Sequence, residues 1–192
     1  MGKNKKSKKI FFDEFLNSNV EIDSQEEYQF YTWIIEAKKM NIILDYIYQP
    51  NSFLLTEKTL YTPLFNNPKN KEKHLFAEHI YTADFKIIID YKYGEIFSKY
   101  FKLSKNNINS DGNIEIYIDV KGGFMSNDSG RSFSINQKLV YEKYKILISK
   151  LVPKDFFLKL GCPKNLFFTE KTHKKSKVFE NYPTIESVFN AR

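Results

Sequence analysis

Residues 114–123 read Ile-Glu-Ile-Tyr-Ile-Asp-Val-Lys-Gly-Gly, and this run decides the fold class. Ile114, Ile116, Ile118 and Val120 fall on one side of an extended chain, and Glu115, Tyr117, Asp119 and Lys121 on the other. Side chains alternate across a strand, so a period of two predicts a strand buried on its aliphatic side. Asp119 and Lys121 then emerge together, roughly 6–7 Å apart along the backbone. Gly122 and Gly123 end the strand, and the polar stretch up to Arg131 reads as a flexible loop.

Working outward, residues 80–89 repeat the pattern. Tyr81, Ala83, Phe85, Ile87 and Ile89 share one face, and Thr82, Asp84 and Lys86 the other. The two segments are expected to pair antiparallel, with a long insertion around 91–112 between them. Residues 24–40 predict a helix, with Ser24 as N-cap and Phe30, Trp33, Ile34 and Ala37 as its apolar stripe. Residues 42–49 predict a strand that stops at Pro50, and a short strand follows at Phe53–Leu55. Residues 62–74 read as a loop. A second helix is expected over 135–150, with Leu139, Val140, Tyr144 and Leu147 on its apolar side. The fold class is therefore α/β: a mixed, mainly antiparallel sheet with a helix on each side. Residues 1–20 form a basic N-terminal arm, 21–152 the core, and 153–192 a basic, proline-punctuated extension with little periodicity.

The 192 residues carry 30 Lys plus Arg against 23 Asp plus Glu, a net charge of +7. A basic chain is attracted to polyanions, nucleic acid first among them. Nearly all of that charge is lysine, with arginine only at Arg131 and Arg192. Lysine meets phosphate as a point charge, which favours recognition of backbone or shape over direct base reading. Cys162 is the single cysteine, so no disulfide can form within the chain, and a reducing, intracellular setting is expected. His74, His79 and His173 lie apart and read as surface or core residues rather than zinc ligands. No apolar run reaches the roughly 18 residues of a membrane span. Behind the lysine-rich start, Lys3 to Lys9, stand only Ile10, Phe11 and Phe12, too few for a signal-peptide core.

The chemistry lies first in two acids placed where strands rarely carry them, Asp84 and Asp119. Asp is depleted in strand interiors, and a buried, unpaired carboxylate costs several kcal/mol. Asp84 and Asp119 therefore need partners. Salt bridges, Asp119 with Lys86 or Lys121 with Asp84, would supply them. So would a hard divalent cation, Mg²⁺ or Mn²⁺, held by converging carboxylates. Such an ion polarises a phosphodiester and acidifies a bound water, and Lys121 could orient or deprotonate that water. Glu27, in the first turn of the first helix, is the third acid. It has a rival role, since Ser24-Gln25-Glu26-Glu27 is also a capping box. Ser134-Ile135-Asn136-Gln137 is a second one.

Three segments, DSQEEYQFYTWI (23–34), HIYTADFKIII (79–89) and IYIDVKGG (116–123), resemble the PD-(D/E)XK nuclease superfamily. The likeness is to its small phage-encoded members, the endonuclease I-type Holliday junction resolvases and related phage endonucleases. It covers roughly residues 22–150. It implies a restriction-endonuclease-like core and metal-dependent hydrolysis of DNA phosphodiester bonds. The family's helix acid stands three positions after a serine, which selects Glu27 over Glu26. Asp84, Asp119, Glu27 and the backbone carbonyl of Val120 would hold the metal, and Lys121 would complete the catalytic set. Gln137 or Lys138 matches a polar helix residue of the family. Arg131, Gln137, Lys138, Lys174 and Lys175 are candidate DNA contacts, the last two within the cluster Lys171, His173, Lys174, Lys175 and Lys177. Resolvases act as dimers, so a homodimer is an implied partner besides DNA, and the host cytoplasm the implied location. The sequence departs from the family in the 91–112 insertion and in Ala83, where the family has proline. A non-catalytic nucleic-acid-binding protein with a decayed nuclease fold, and an RNA-directed nuclease, remain open alternatives.

Overall fold

A computed structural model describes residues 8–65, 72–123, 127–169 and 174–190. The chain begins with a hairpin, β1 (Lys9–Asp13) and β2 (Ser18–Ile22), followed by helix α1 (Gln25–Lys39) and strand β3 (Ile43–Tyr48). Four short strands come next: β4 (Phe53–Thr56), β5 (Thr59–Tyr61), β6 (Lys73–Phe76) and β7 (His79–Tyr81). Then follow β8 (Phe85–Ile89), α2 (Gly94–Ser98), β9 (Ile114–Val120), α3 (Asn127–Tyr144), β10 (Ile148–Leu151), α4 (Pro153–Leu160) and α5 (Ile185–Phe189).

The centre is a four-stranded sheet in the order β10-β9-β8-β3. β3, β8 and β9 form an antiparallel meander, and β10 joins β9 in parallel after the α3 crossover. The fold is thus α/β with a mixed sheet and smaller antiparallel sheets beside it. α1 starts where Ser24 Oγ accepts the Glu27 N–H at 3.1 Å. It ends at Asn41, whose φ of 56° is a left-handed conformation that Asn tolerates. The Ile42 N–H then donates to Ala37 at 2.9 Å and closes the last turn. The predicted stripe of α1, Phe30, Trp33, Ile34 and Ala37, is wholly buried. It packs on Phe85, Ile87, Ile89, Ile116 and Ile118 in the main core.

Several sequence-based expectations are corrected. Residues 80–89 are two strands, not one. β7 pairs with β4 and β8 with β3 and β9, and the chain bends at Asp84 between them. Tyr81 and Ala83 enter a small core with Phe53, Leu55, Val140 and Ile148, whereas Phe85, Ile87 and Ile89 enter the main one. Alternation shows that every second residue is buried; it does not show that all are buried in the same place.

The second helix begins earlier and stops sooner than its pattern implies. α3 runs from Asn127 to Tyr144, so much of the expected loop before Arg131 is helical, and Ser134–Gln137 lies inside the helix rather than capping it. Lys145, at φ 59°, ends the helix with its N–H on Tyr141, and Ile148–Leu151 become a strand. Weak helix formers in the first two turns hid the start. At the other end, a run of apolar residues reads equally as helix or strand.

The ends of the chain also join the core. Within the expected arm, β1 and β2 pair, and Asp13 is fully buried; residues 1–7, with most of the lysine-rich start, lie outside the described residues. Within the expected extension, Phe156, Phe157, Leu160, Leu166, Phe179, Ile185 and Phe189 are buried in the main core. Phe156 meets the Trp33 ring at 4.8 Å and the Phe30 ring at 5.4 Å. The insertion around 91–112 contributes Phe97 and Phe101 to the same core. The expected loop at 62–74 leads into β6, which pairs with β5; residues 66–71 lie outside the described residues. Among the described residues, no helix is long and apolar enough to cross a membrane.

Candidate active site

β8 and β9 pair with Phe85 opposite Ile118, which puts the residue before β8 beside the end of β9. Asp84 and Asp119 meet there. The Val120 N–H donates to Asp84 Oδ2 at 2.6 Å, and the two carboxyl groups stand within hydrogen-bonding reach of each other. The bend at Asp84 is fixed by the Gln49 N–H, which donates to the Asp84 carbonyl at 2.8 Å. Asp119 is 4% exposed. Lys121, one residue past β9, is held by its N–H on Leu151 of β10 at 2.7 Å. Its Nζ donates to Asp119 Oδ1 at 2.5 Å.

Of the two salt bridges foreseen as alternatives, neither forms as written: Lys86 pairs with Glu115 at 2.9 Å, and Lys121 takes Asp119 rather than Asp84. Among the described residues, no cation pairs with Asp84 itself. Burial first, then the hydrogen bond and charge of Asp119 and the charge of Glu27, push its carboxyl up to about 8, against the lowering effect of the Val120 N–H. An acid in this state keeps its proton near neutrality because a second negative charge beside Asp119 would be unbalanced.

Glu27 approaches from α1, close enough for its charge to act on Asp84. Its carboxylate is engaged elsewhere. Ser24 Oγ donates to Oε1 at 2.7 Å and the Tyr48 hydroxyl to Oε2 at 2.8 Å. The backbone half of the foreseen capping box forms, while the carboxylate bonds to hydroxyls instead of the Ser24 N–H. Among the described residues, no three His, Cys, Asp or Glu side chains gather at one ion position. Glu27 thus stands beside the Asp84–Asp119 pair, with its carboxylate held by Ser24 and Tyr48.

The Tyr81 ring is core, as its place on the apolar face implies. Its hydroxyl is buried beside Asp119, with Asp84 beyond, but completes no hydrogen bond of good geometry. Burial first, then these charges, push the phenol well above its ordinary range. A cleft of about 370 Å³ opens next to Lys121, lined by Glu26, Gln29, Gly122, Gly123, Val152, Pro153 and Lys154. A Cβ on Gly122 would lie 3.2 Å from Glu26 Oε1, so glycine keeps this opening wide. A larger cavity, about 660 Å³, lies beside Ile114 at the opposite end of β9 and shares no residue with the acid pair.

The candidate DNA contacts fare unevenly. Arg131 and Lys138 are exposed on α3, the helix that follows Lys121. Gln137 is not a free contact: its Nε2 donates to the Ile148 carbonyl at 2.6 Å and ties α3 to β10. Lys174 and Lys175 are exposed on a turn bridged to Phe168 and Thr169. The neighbouring segment is anchored by the Lys164 N–H on Glu36 at 2.8 Å, near the end of α1 remote from Glu27. Lys171 and His173 lie outside the described residues.

Compared with known proteins, the chain matches no family model, no curated protein and no solved structure.

Proposed function

We propose that the chain is a metal-dependent endodeoxyribonuclease of the PD-(D/E)XK type, with a restriction-endonuclease-like core. The observation that carries this reading is the meeting of Asp84 and Asp119, with Lys121 Nζ on Asp119, at one end of the central sheet. The order of elements supports it too: a helix with Glu27, a strand, the Asp84 strand, the Asp119-Val120-Lys121 strand, then a helix.

The donor set fits Mg²⁺ or Mn²⁺. It consists of hard oxygens, and Mg²⁺ usually takes one or two carboxylates and keeps several waters. Asp84 also carries an unbalanced acid function that a cation would relieve. Asp84, Asp119 and the Val120 carbonyl would hold the ion, with Glu27 reaching it directly or through water. When bound, the ion supplies positive charge to the scissile phosphate and acidifies a water molecule.

The chain's own groups do the rest. Lys121 Nζ donates to Asp119 and forms an ion pair with it. So placed, it would offer positive charge and a donor toward the phosphate and position or activate the attacking water. The cleft beside Gly122 and Gly123 leaves room for the substrate backbone next to Lys121. The net charge of +7 draws the polyanion in. Branched DNA and a homodimer accord with the resolvase-like resemblance, and the family's location would be the host cytoplasm.

The test is to incubate the protein with supercoiled, linear, single-stranded and four-way-junction DNA, with and without Mg²⁺. Cleavage only with the metal, abolished in Asp84→Ala and Lys121→Ala, is expected. Salt-sensitive binding without cleavage in Mg²⁺ or in Mn²⁺ put in its place would instead identify a non-catalytic DNA-binding protein. Undiminished cutting by the variants would reject the assigned residues.

A further inference from the structure

Tyr81 is 9% exposed and packs in the small core with Phe53, Ala83, Val140 and Ile148. Phe53 is also its partner across β4 and β7. These neighbours are hydrocarbon, and phenylalanine would meet all of them equally well. The hydroxyl is nevertheless present and buried, beside Asp119 but with no hydrogen bond of good geometry. Buried hydroxyls are nearly always bonded, so an orphan needs a reason. The polar groups that act on this one are Asp119 and Asp84. Asp119 Oδ1 already accepts from Lys121.

We propose that Tyr81 is a positioning residue whose hydroxyl bonds to Asp119 when that carboxylate holds a divalent cation. This deepens the functional reading above and rests on it. In the structure Asp119 accepts from Lys121, and the phenol beside it completes no bond of good geometry. With a cation held by Asp84 and Asp119, the phenol and Lys121 would together fix the Asp119 carboxylate. Partners that orient a ligating carboxylate are worth about 10–100-fold in metal affinity. The small core holds the ring, so the donor is preorganised, and the cost of its missing bond falls on the metal-free protein alone.

The experiment compares the full chain with Tyr81→Phe in two measurements: Mn²⁺ titration by calorimetry, and thermal melting in EDTA. The variant is expected to bind Mn²⁺ about 10-fold more weakly and to melt at or above the parent temperature in EDTA. A residue that only supports the fold would lower the melting temperature instead. Mn²⁺ binding within twofold of the parent, or a metal-free variant that melts several degrees lower, overturns the proposal. Failure of the parent chain itself to bind Mn²⁺ would overturn the functional reading, and the proposal with it.

Discussion

Replacing Asp84 with asparagine should make the metal-free protein more stable, and increasingly so as the pH rises. In the native state Asp84 holds its proton up to about 8, for burial, Asp119 and Glu27 all oppose its charge. In the unfolded chain it titrates near 3.9. Between those values the native state binds one more proton than the unfolded state, so stability falls as the pH rises from about 4 to 8. About four pH units at 1.36 kcal/mol each set a ceiling of roughly 5–6 kcal/mol. Residual solvent and relaxation of the side chain reduce this to about 2 kcal/mol. Asparagine keeps an oxygen for the Val120 N–H and offers an N–H to Asp119. In EDTA, Asp84→Asn should therefore match the parent near pH 4 and melt about 4–8 °C higher at pH 8. Titrating groups remote from Asp84 cancel in the difference, so the comparison reports the Asp84–Asp119 pair as a unit. Melting curves within a degree of each other from pH 5 to 8, or a less stable variant, would refute the reasoning.

Two further substitutions probe the fold. Gly161 has φ +87°, and a Cβ there would lie 2.5 Å from the Ile185 backbone, so Gly161→Ala should cost about 2–5 kcal/mol in urea unfolding; a loss under 1 kcal/mol would show that the C-terminal segment is not packed as described. Burial alone would raise the Asp13 carboxyl, but bonds from Tyr31, Tyr46, Leu16 and Phe15 outweigh it and hold the group below its ordinary value. Its stabilisation is therefore present above about pH 4 and lost as the pH falls through the native value. Asp13→Ala, which strands two buried tyrosine hydroxyls, should cost about 2–4 kcal/mol at pH 7 and less at pH 3. A pH-independent deficit would contradict that account.

Long, strictly periodic segments were legible. α1 and β9 end within about two residues of where their apolar spacing and the Ser24 cap put them. Asp84, Asp119 and Lys121 stood out because they interrupt apolar strands, and the β8–β9 pairing brings them together. The bend at Asp84 left no trace, since odd positions stay apolar on both sides of it while the core they fill changes. The aromatic anchors at Phe156, Phe157, Phe179 and Phe189 were hidden for another reason. They sit on short helices and turns, where no period builds up.

Polar networks that join distant parts of the chain were also out of reach. Asp13 meets Tyr31 and Tyr46, and Glu27 meets Tyr48, only once the fold exists. The one available signal was the choice of tyrosine over phenylalanine at apolar positions 31, 46, 48 and 81. In all four cases the hydroxyl faces a buried or half-buried carboxylate.

The most direct measurement is the nicking of supercoiled plasmid by the parent chain and by Asp119→Asn, each in Mg²⁺ and in EDTA. The account predicts nicked product from the parent in Mg²⁺ alone, with the variant slower by about a hundredfold or more. Nicking in EDTA, or equal rates from the two proteins in Mg²⁺, would contradict it.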